Sequence, residues 1–208
     1  MKVIAINGSP RAEGNTYLTI KAFAEELGKE GIETHILQAG SADIGGCSHC
    51  GCCMNAGQCQ KPDEQFKTWS EILFHADGVF LAAPAYFGSI PGPMKSFLDR
   101  FFFQCLRSGI MYHKIGASMA VLRRAGGFTT VDDLNRYFLV SGMVIVTATS
   151  ANLIHGANPG EVLQDTEGMD AVLKLARNMA WIMKMKEATK DRLPPPPFVK
   201  KPMMNFIR

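Results

Sequence analysis

The stretch KVIAINGSPRAEGNTYLTIKAFAEELGKE, residues 2–30, contains three consecutive patterns that together indicate the fold. KVIAIN (residues 2–7) is a short apolar run, which predicts a buried strand. Residues 16–30 place Ala, Phe and Leu on one face at helical spacing, which predicts an amphipathic helix. The residues between them include Gly, Pro and Asn, as loops do. A strand, a loop and a helix in this order are typical of the first unit of a parallel α/β sheet.

The same alternation continues along the chain and defines its organisation. It predicts further strands at residues 33–38, 77–84, 115–123 and 143–150, and further helices at 64–75, 92–104, 131–142 and 168–186. Five strands and five helices predict a doubly wound α/β fold of either common strand order, with ligands at the carboxyl ends of the strands. We assign residues 1–186 to one domain with a cysteine-rich insert at 43–62. Residues 187–208 form a predicted extended arm, because four consecutive prolines favour a polyproline-like chain.

Composition and charge exclude several classes of function. The 208 residues carry 22 basic and 19 acidic side chains, and no run of Lys or Arg exceeds two residues. Nucleic acid is therefore not an expected partner. No apolar run approaches the roughly 20 residues that span a bilayer, so we expect no membrane partner. The N-terminus lacks the charged and apolar regions of a signal peptide, which predicts a cytoplasmic protein.

The loop after the first strand, NGSPRAEGNT (residues 7–16), has the chemistry of an anion site. Its glycines, hydroxyls and Arg11 would present backbone N–H groups, side-chain donors and a positive charge at a helix N-terminus. A plain capping turn is the alternative interpretation, with Asn15 or Thr16 as the cap. The loop lacks both the G-x-G-x-x-G spacing of dinucleotide sites and the G-K-[ST] ending of triphosphate loops. We therefore predict a monophosphate ligand.

This loop and the segment APAYFGSIPGPMKSFLDR (residues 83–100) resemble the flavodoxin-like NADPH-dependent FMN reductases. The resemblance implies a flavodoxin-like five-stranded parallel sheet in the order 2-1-3-4-5 and an FMN cofactor. It also implies which residues hold the phosphate, the ring and the pyrimidine end of the ring. The implied phosphate contacts are Ser9, Arg11, Gly14, Asn15 and Thr16; the implied ring contacts are Pro84, Ala85, Tyr86, Phe87 and Gly88; the implied pyrimidine contacts are Arg123, Ala125, Gly126 and Gly127.

Physical chemistry is consistent with these implied contacts. A flavin ring needs an apolar surface and a few backbone donors, and a glycine such as Gly88 lets the backbone approach closely. Ordinary packing is the alternative role for Tyr86 and Phe87. Arg123 or Arg124 near the pyrimidine end would raise the flavin's reduction potential, since that end gains negative charge on reduction. Either arginine could equally be a solvated surface charge.

DIGGCSHCGCCMNAGQC (residues 43–59) holds five of the six cysteines. Zinc sites usually pair two C-x2-C knuckles a dozen or more residues apart, which this segment lacks. Closely spaced cysteines can instead wrap one cubane, as ferredoxin runs do. The spacing is similar to the compact motif of the iron-sulfur flavoprotein branch of the same family, which implies a 4Fe-4S cluster ligated by Cys47, Cys50, Cys53 and Cys59. A redox dithiol or an inert loop are the alternatives. Cys105 is expected to be a buried apolar residue.

The resulting functional prediction is an FMN-dependent oxidoreductase that moves electrons between a donor, FMN and the cluster. The resemblance implies NAD(P)H as the donor, and ferredoxin is the alternative because no second nucleotide motif is visible. No side chain is expected to act as acid, base or nucleophile, since FMN supplies the redox chemistry. A redox-sensing or metal-binding module without turnover is the rival interpretation. We also expect a homodimer or homotetramer, with the apolar arm residues Met203, Met204, Phe206 and Ile207 docked onto a neighbouring subunit.

Overall fold

The computed structural model describes residues 1–149, 151–200 and 202, which form an α/β fold. The strands are β1 Lys2–Asn7, β2 Glu33–Gln38, β3 Gly78–Pro84, β4 Ile115–Leu122, β5 Val144–Val146 and β6 Leu153–His155. The α-helices are α1 Asn15–Lys29, α2 Cys52–Ala56, α3 Glu64–Phe74, α4 Gly92–Cys105, α5 Gly127–Val140 and α6 Thr166–Thr189. Short 3₁₀ turns occupy Ala39–Ser41 and Glu161–Gln164.

The strands pair in parallel in the order β2-β1-β3-β4-β5, which confirms the flavodoxin-like order 2-1-3-4-5. β1 and β3 are almost entirely buried, as expected for strands with helices on both faces. α1 and α6 cover one face, where Phe23 stacks on Phe80 with ring centroids 3.9 Å apart. α3, α4 and α5 cover the other face. All four βα loops discussed below leave the same carboxyl edge of the sheet.

The prediction of one continuous strand at residues 143–150 is wrong, because the described residues contain two short strands here, β5 and β6. β5 pairs with the first half of β4, and β6 pairs with its second half, so two short strands share the fifth position. Just before β6, the side-chain oxygen of Asn152 accepts the backbone N–H of Ala148 at 3.1 Å. The backbone oxygen of Asn152 accepts the N–H of Ala120 at 3.0 Å, which returns the chain to β4. An unbroken apolar run cannot reveal such an interruption.

The last helix ties the domain together and runs past the boundary predicted at residue 186. The side chain of Glu26 on α1 is only 7% exposed and accepts from Arg177 of α6 at 2.5 Å and from Lys29 at 2.6 Å. α6 continues to Thr189, and residues 194–200 of the chain beyond it are in neither a helix nor a strand. Among the described residues, no helix has the length and apolar character needed to cross a membrane.

The described part of the arm is exposed but touches its own domain. The ring of Phe198 meets the edge of the Tyr112 ring with centroids 5.5 Å apart, and it lies directly over Gly109. Tyr112 and Gly109 lie in the segment between α4 and β4. The predicted docking residues Met203, Met204, Phe206 and Ile207 lie outside the described residues.

Candidate functional site

The loop after β1 is folded by hydrogen bonds of its own residues and of β2. The backbone N–H of Ser9 donates to the Asn7 side chain at 3.0 Å, and the Ser9 hydroxyl accepts the N–H of Arg11 at 3.1 Å. Gln38, at the end of β2, donates to the Ser9 carbonyl at 2.6 Å. The loop is therefore held in one shape, with Ser9 buried and Arg11 exposed.

The N-terminus of α1 lies at the end of this loop and can hold an anion. Gly14 precedes the helix, and no side chain caps it. The N–H groups of Asn15, Thr16 and Tyr17 have no carbonyl one turn back to donate to, which leaves them available to a ligand. In the described part of the chain, Arg11 forms no ion pair. This arrangement combines N–H groups, the positive end of the helix dipole and a free cation.

The Asn15 side chain bonds to the loop after β6. Its amide nitrogen donates to the Asn158 carbonyl at 2.9 Å, and its oxygen accepts the N–H of Gly160 at 2.8 Å. Asn15 therefore joins α1 to the loop after β6. That loop is itself closed by Glu161, whose carboxylate accepts the N–H groups of Ala157 and Asn158 at 2.6 and 2.7 Å. These N–H groups lower the pKa of Glu161, Asn158 being the larger cause.

The loop after β3 forms a tight turn with two exposed aromatic rings. Tyr86 and Ser89 exchange backbone hydrogen bonds at 2.9 and 3.0 Å, and the central residues Phe87 and Gly88 have φ of 51° and 76°. Positive φ at both positions is the type I′ geometry. It is uncommon for a bulky residue such as Phe87. The Phe87 side chain is fully exposed and that of Tyr86 about half exposed, so both present apolar surface to solvent.

The loop after β4 packs against this turn through its backbone. A β-carbon on Gly126 would lie 2.7 Å from the Gly88 Cα, and Gly126 itself has φ of 86°. Only glycine fits at this point of contact. Arg123 and Arg124 are exposed beside it, and neither forms an ion pair within the described ranges. Ala125 is exposed, and Gly127 begins α5.

The structure thus brings all three groups of sequence-predicted residues to one edge of the sheet. Ser89 fixes the aromatic turn to α5, because its hydroxyl donates to the Asp133 carboxylate. The Thr130 hydroxyl donates to the Gly126 carbonyl at 2.7 Å, which anchors the neighbouring loop. The sequence analysis did not identify these anchors, although Ser89 lies within the quoted aromatic segment.

The cysteine insert lies against α4, beside the aromatic turn. One small cavity is lined by Cys47, Cys50, Cys53 and Cys59, the four cysteines that the resemblance implies as ligands. Cys52 and Cys105 do not line it. The donors are thiols, which suit an iron-sulfur cluster. The cavity is small, about 20 Å³, and two of the cysteines that line it, Cys47 and Cys50, are exposed.

The thiols of the insert differ in their surroundings. Cys50 and Cys52 are exposed, and the backbone N–H and thiol of Cys52 lower the pKa of Cys50. The same contact with Cys50 raises the pKa of Cys52. Burial raises the pKa of Cys53, as does its proximity to Cys59 and Cys47. Burial also raises the pKa of Cys105 to about 12, consistent with an apolar role. Over the described ranges, no group of three or more His, Cys, Asp or Glu side chains is arranged so that it could hold a metal ion.

Two buried polar side chains of α4 fix Cys59, and the sequence analysis identified neither. Arg100 donates from Nε to the Cys59 sulfur at 3.1 Å. Gln104, one turn further on, accepts the backbone N–H of Cys59 at 2.8 Å. The available signal was an arginine and a glutamine within the apolar run FLDRFFFQC (residues 97–105).

A concave surface, which encloses a volume of about 510 Å³, connects the insert to the aromatic turn. Cys47 and His49 line one end and Ser89 and Ile90 the other, with α4 and α5 between them. In its floor the Tyr137 hydroxyl donates to Asp99 at 2.5 Å. Burial, together with Asp99, raises the pKa of Tyr137, so this hydroxyl stays protonated. The concave surface is large enough to admit a small organic molecule.

Comparisons with known proteins match this architecture. The family described as NADPH-dependent FMN reductase matches residues 1–157. An iron-sulfur flavoprotein of Methanocaldococcus jannaschii is 33% identical over 196 residues, covering 89% of this chain and 98% of the relative. An iron-sulfur flavoprotein of Methanosarcina thermophila is 28% identical over 194 residues, covering 92% and 100%. A flavodoxin, WrbA-like protein from Agrobacterium tumefaciens has the same fold, with a TM-score of 0.60 at 14% identity, covering 88% and 97%.

The family match extends from β1 to the start of the loop after β6, so it includes the six strands of the described residues and the loops after β1, β3 and β4. The flavoprotein relatives are matched over almost their whole length. By these matches and by its fold, the chain belongs to the NADPH-dependent FMN reductase family and is an FMN-binding, flavodoxin-like oxidoreductase.

Proposed function

We propose that this oxidoreductase passes electrons between a reduced donor, FMN and a 4Fe-4S cluster held by Cys47, Cys50, Cys53 and Cys59. The observation that carries the proposal is that these four cysteines line one cavity, whereas Cys52 does not. The cavity lies beside the aromatic turn, and one concave surface connects the two. Relatives matched over their full length are named iron-sulfur flavoproteins, which supports the same conclusion.

We assign the FMN phosphate to the N-terminus of α1. The N–H groups of Asn15 and Thr16 meet a phosphate at the positive end of the helix, and Gly14 leaves room in front of it. Arg11 supplies a charge-assisted contact from the exposed side of the loop. Ser9 shapes the loop, since its hydroxyl already accepts from Arg11 N–H. The Asn15 side chain contributes indirectly, by fixing the loop after β6.

We assign the flavin ring to the two loops that meet at Gly88 and Gly126. Pro84, Ala85 and the rings of Tyr86 and Phe87 supply the apolar surface. The backbone of residues 125–127 and the Arg123 guanidinium supply donors for the pyrimidine end. Bound FMN supplies the exchange of electrons in pairs and singly. A cation near the pyrimidine end favours the reduced, more negative form of the flavin.

The donor and the oligomer are further parts of the proposal. The concave surface between the insert and the aromatic turn offers Lys95 and Arg136 as cationic groups, although Asp99 and Asp133 already pair with them. NAD(P)H fits the family, and ferredoxin is the alternative donor. We further propose a homodimer or homotetramer, in which neighbouring subunits shield the exposed aromatic turn and insert.

Anaerobic purification followed by iron and sulfide analysis tests the cluster. The proposal requires about four of each per chain. It also requires flavin bleaching on addition of NADPH or, failing that, of reduced ferredoxin. Protein without iron after anaerobic reconstitution would contradict the cluster assignment, and flavin that neither donor bleaches would contradict electron transfer.

A thiol-based redox sensor is the second candidate. It is favoured by the contact between the exposed thiols of Cys50 and Cys52, which lowers the pKa of Cys50. A thiol of lowered pKa reacts more readily with oxidants. In a sensor, mild oxidant would consume these two thiols in iron-free protein, and Cys52→Ser would abolish the response. In an iron-sulfur protein, Cys52→Ser would leave the iron content unchanged.

A further inference from the structure

Arg100 is a fully buried cation at the base of the cysteine insert. Its side chain is 1% exposed, and it contacts three points of the insert and Asp63, the residue just after it. Besides the Cys59 sulfur, it donates to the Asp63 carboxylate at 2.7 Å, the Lys61 carbonyl at 2.9 Å and the Gly45 carbonyl at 3.4 Å. The face of its guanidinium lies 3.9 Å from the centre of the Phe66 ring.

The energetics of burial argue against a role in packing alone. A buried ion pair is often no more stabilising than apolar residues of similar volume. α4 has apolar residues on both sides of Arg100 that fill such space, Phe97 and Phe101 among them. What an apolar side chain cannot do is donate a hydrogen bond to sulfur. Arginine is also permanently charged, so this donor persists in every redox state of its surroundings.

Hydrogen bonds to cluster sulfurs are among the factors that set the reduction potential of an iron-sulfur centre. Reduction adds negative charge to the centre, and a charged N–H donor at a ligand sulfur stabilises that charge. We propose, resting on the cluster assignment above, that Arg100 is a positioning residue that orients Cys59 and raises the reduction potential of the cluster. Cys59 is thereby distinguished from the other three ligands, two of which are exposed.

The chain offers two matched controls. The Gln104 side-chain oxygen accepts the backbone N–H of Cys59 without touching its sulfur, and the Gln104 amide nitrogen donates to the Ser70 hydroxyl at 3.0 Å. Gln104→Leu therefore loosens the same ligand with no change of charge. Asp63 pairs with Arg100 and also accepts the N–H of Phe66 at 3.0 Å, a cap that asparagine can retain. Asp63→Asn thus removes a negative charge while leaving the donor to sulfur in place.

The test uses the anaerobically reconstituted holoprotein and two measurements. EPR-monitored redox titration gives the midpoint potential of the cluster. Resonance Raman spectra of protein reconstituted in H₂O and in D₂O report N–H donation to sulfur, as an isotope shift of the Fe–S stretches. We expect Arg100→Gln to shift the midpoint to more negative potential and to reduce the isotope shift, to which the His49 N–H, 3.4 Å from the Cys47 sulfur, also contributes. Arg100→Lys should give an intermediate midpoint, because it keeps the charge but lacks the guanidinium geometry.

The controls separate positioning from loss of structure. Gln104→Leu should lower the amount of cluster retained but leave the midpoint of the remaining cluster unchanged. Asp63→Asn should shift the midpoint to more positive potential and keep the isotope shift. The proposal would be overturned if the midpoint potential of Arg100→Lys equalled that of wild type. It would also be overturned if Gln104→Leu shifted the midpoint as much as Arg100→Gln does. Should Arg100→Gln fail to fold, the midpoint and the isotope shift of Arg100→Lys, each compared with wild type, still decide.

The result also separates this inference from the assignment on which it rests. Wild-type protein without iron overturns the cluster and this role of Arg100 together. Wild-type protein with a cluster whose Fe–S stretches show no isotope shift overturns only the role of Arg100.

Discussion

The close contact between Gly88 and Gly126 predicts that adding a single methyl group at residue 126 would push the two proposed flavin loops apart. In Gly126→Ala the new β-carbon would lie 2.7 Å from the Gly88 Cα and 3.2 Å from its nitrogen. Both are backbone atoms, so neither can turn aside as the end of a side chain could. In addition, residue 126 has φ of 86°, which an alanine rarely adopts.

The expected cost has two parts. The left-handed backbone costs about 1–2 kcal/mol once a β-carbon is present. Overpacking a filled contact costs about 1–3 kcal/mol more. We therefore expect Gly126→Ala to lower the free energy of unfolding by about 2–5 kcal/mol. If the loops shift apart to relieve the contact, FMN affinity falls by at least about tenfold, which corresponds to about 1.4 kcal/mol.

Gly31→Ala is the matched control, because it carries the backbone strain without the contact. Its φ is 73°, nothing lies within 4 Å of a β-carbon there, and it is at the far end of α1 from the proposed site. It should lower the free energy of unfolding by about 1–2 kcal/mol and leave FMN affinity unchanged. Urea unfolding of the apoprotein and fluorescence titration with FMN measure both quantities. Wild-type FMN affinity in Gly126→Ala, with a stability loss equal to that of Gly31→Ala, would refute the reasoning.

Four further predictions concern other parts of the molecule. Arg11→Ala should weaken FMN binding by about tenfold without changing apoprotein stability, since it removes one charge-assisted contact from a surface loop; unchanged affinity in an FMN titration would remove Arg11 from the site. Cys50→Ser should abolish cluster absorbance yet retain FMN, and a variant that still binds a full complement of iron would disprove the ligand assignment. Deleting Leu193–Arg208 should lower the oligomer mass by light scattering and the melting temperature, and unchanged values of both would show that the arm stabilises nothing. Glu26→Gln should destabilise the protein at pH 7, because hydrogen bonds from its two basic partners lower the pKa of Glu26. A carboxylate with a lowered pKa stabilises the fold above its ordinary pKa of 4.5 and loses that effect as the pH falls further, so the stability difference from wild type in urea unfolding should shrink below pH 4.5. A difference that stays constant with pH would count against the ion pairs.

The parts of the fold that local pattern determines were predictable, and those that depend on distant partners were not. β1, β2 and the aromatic turn follow from apolar runs and turn residues that are adjacent in sequence. The split of the fifth strand was missed, because the bonds of Asn152 to Ala148 and Ala120 are not visible in an apolar run. Residues 153–155 were too short a run to indicate a strand by themselves.

Arg100 illustrates the same limit within the site. Its partners Cys59, Asp63 and Gly45 are 37 to 55 residues away along the chain. An arginine in an amphipathic helix is ordinarily assigned to the solvent face, and the surrounding apolar run indicates burial without indicating these partners. The four cysteines, by contrast, were recognisable from their spacing, and they line the same cavity.

The position of β2 has a consequence for how such proteins change over time. Among the described strands, β2 lies at the edge of the sheet and pairs with β1, and residues 43–62 follow it in the chain. Lengthening or remodelling a surface loop has a small and slowly growing entropic cost. The segment can therefore be exchanged without changing the neighbour of any strand, and a flavin domain can gain or lose a second redox centre while its sheet order stays the same.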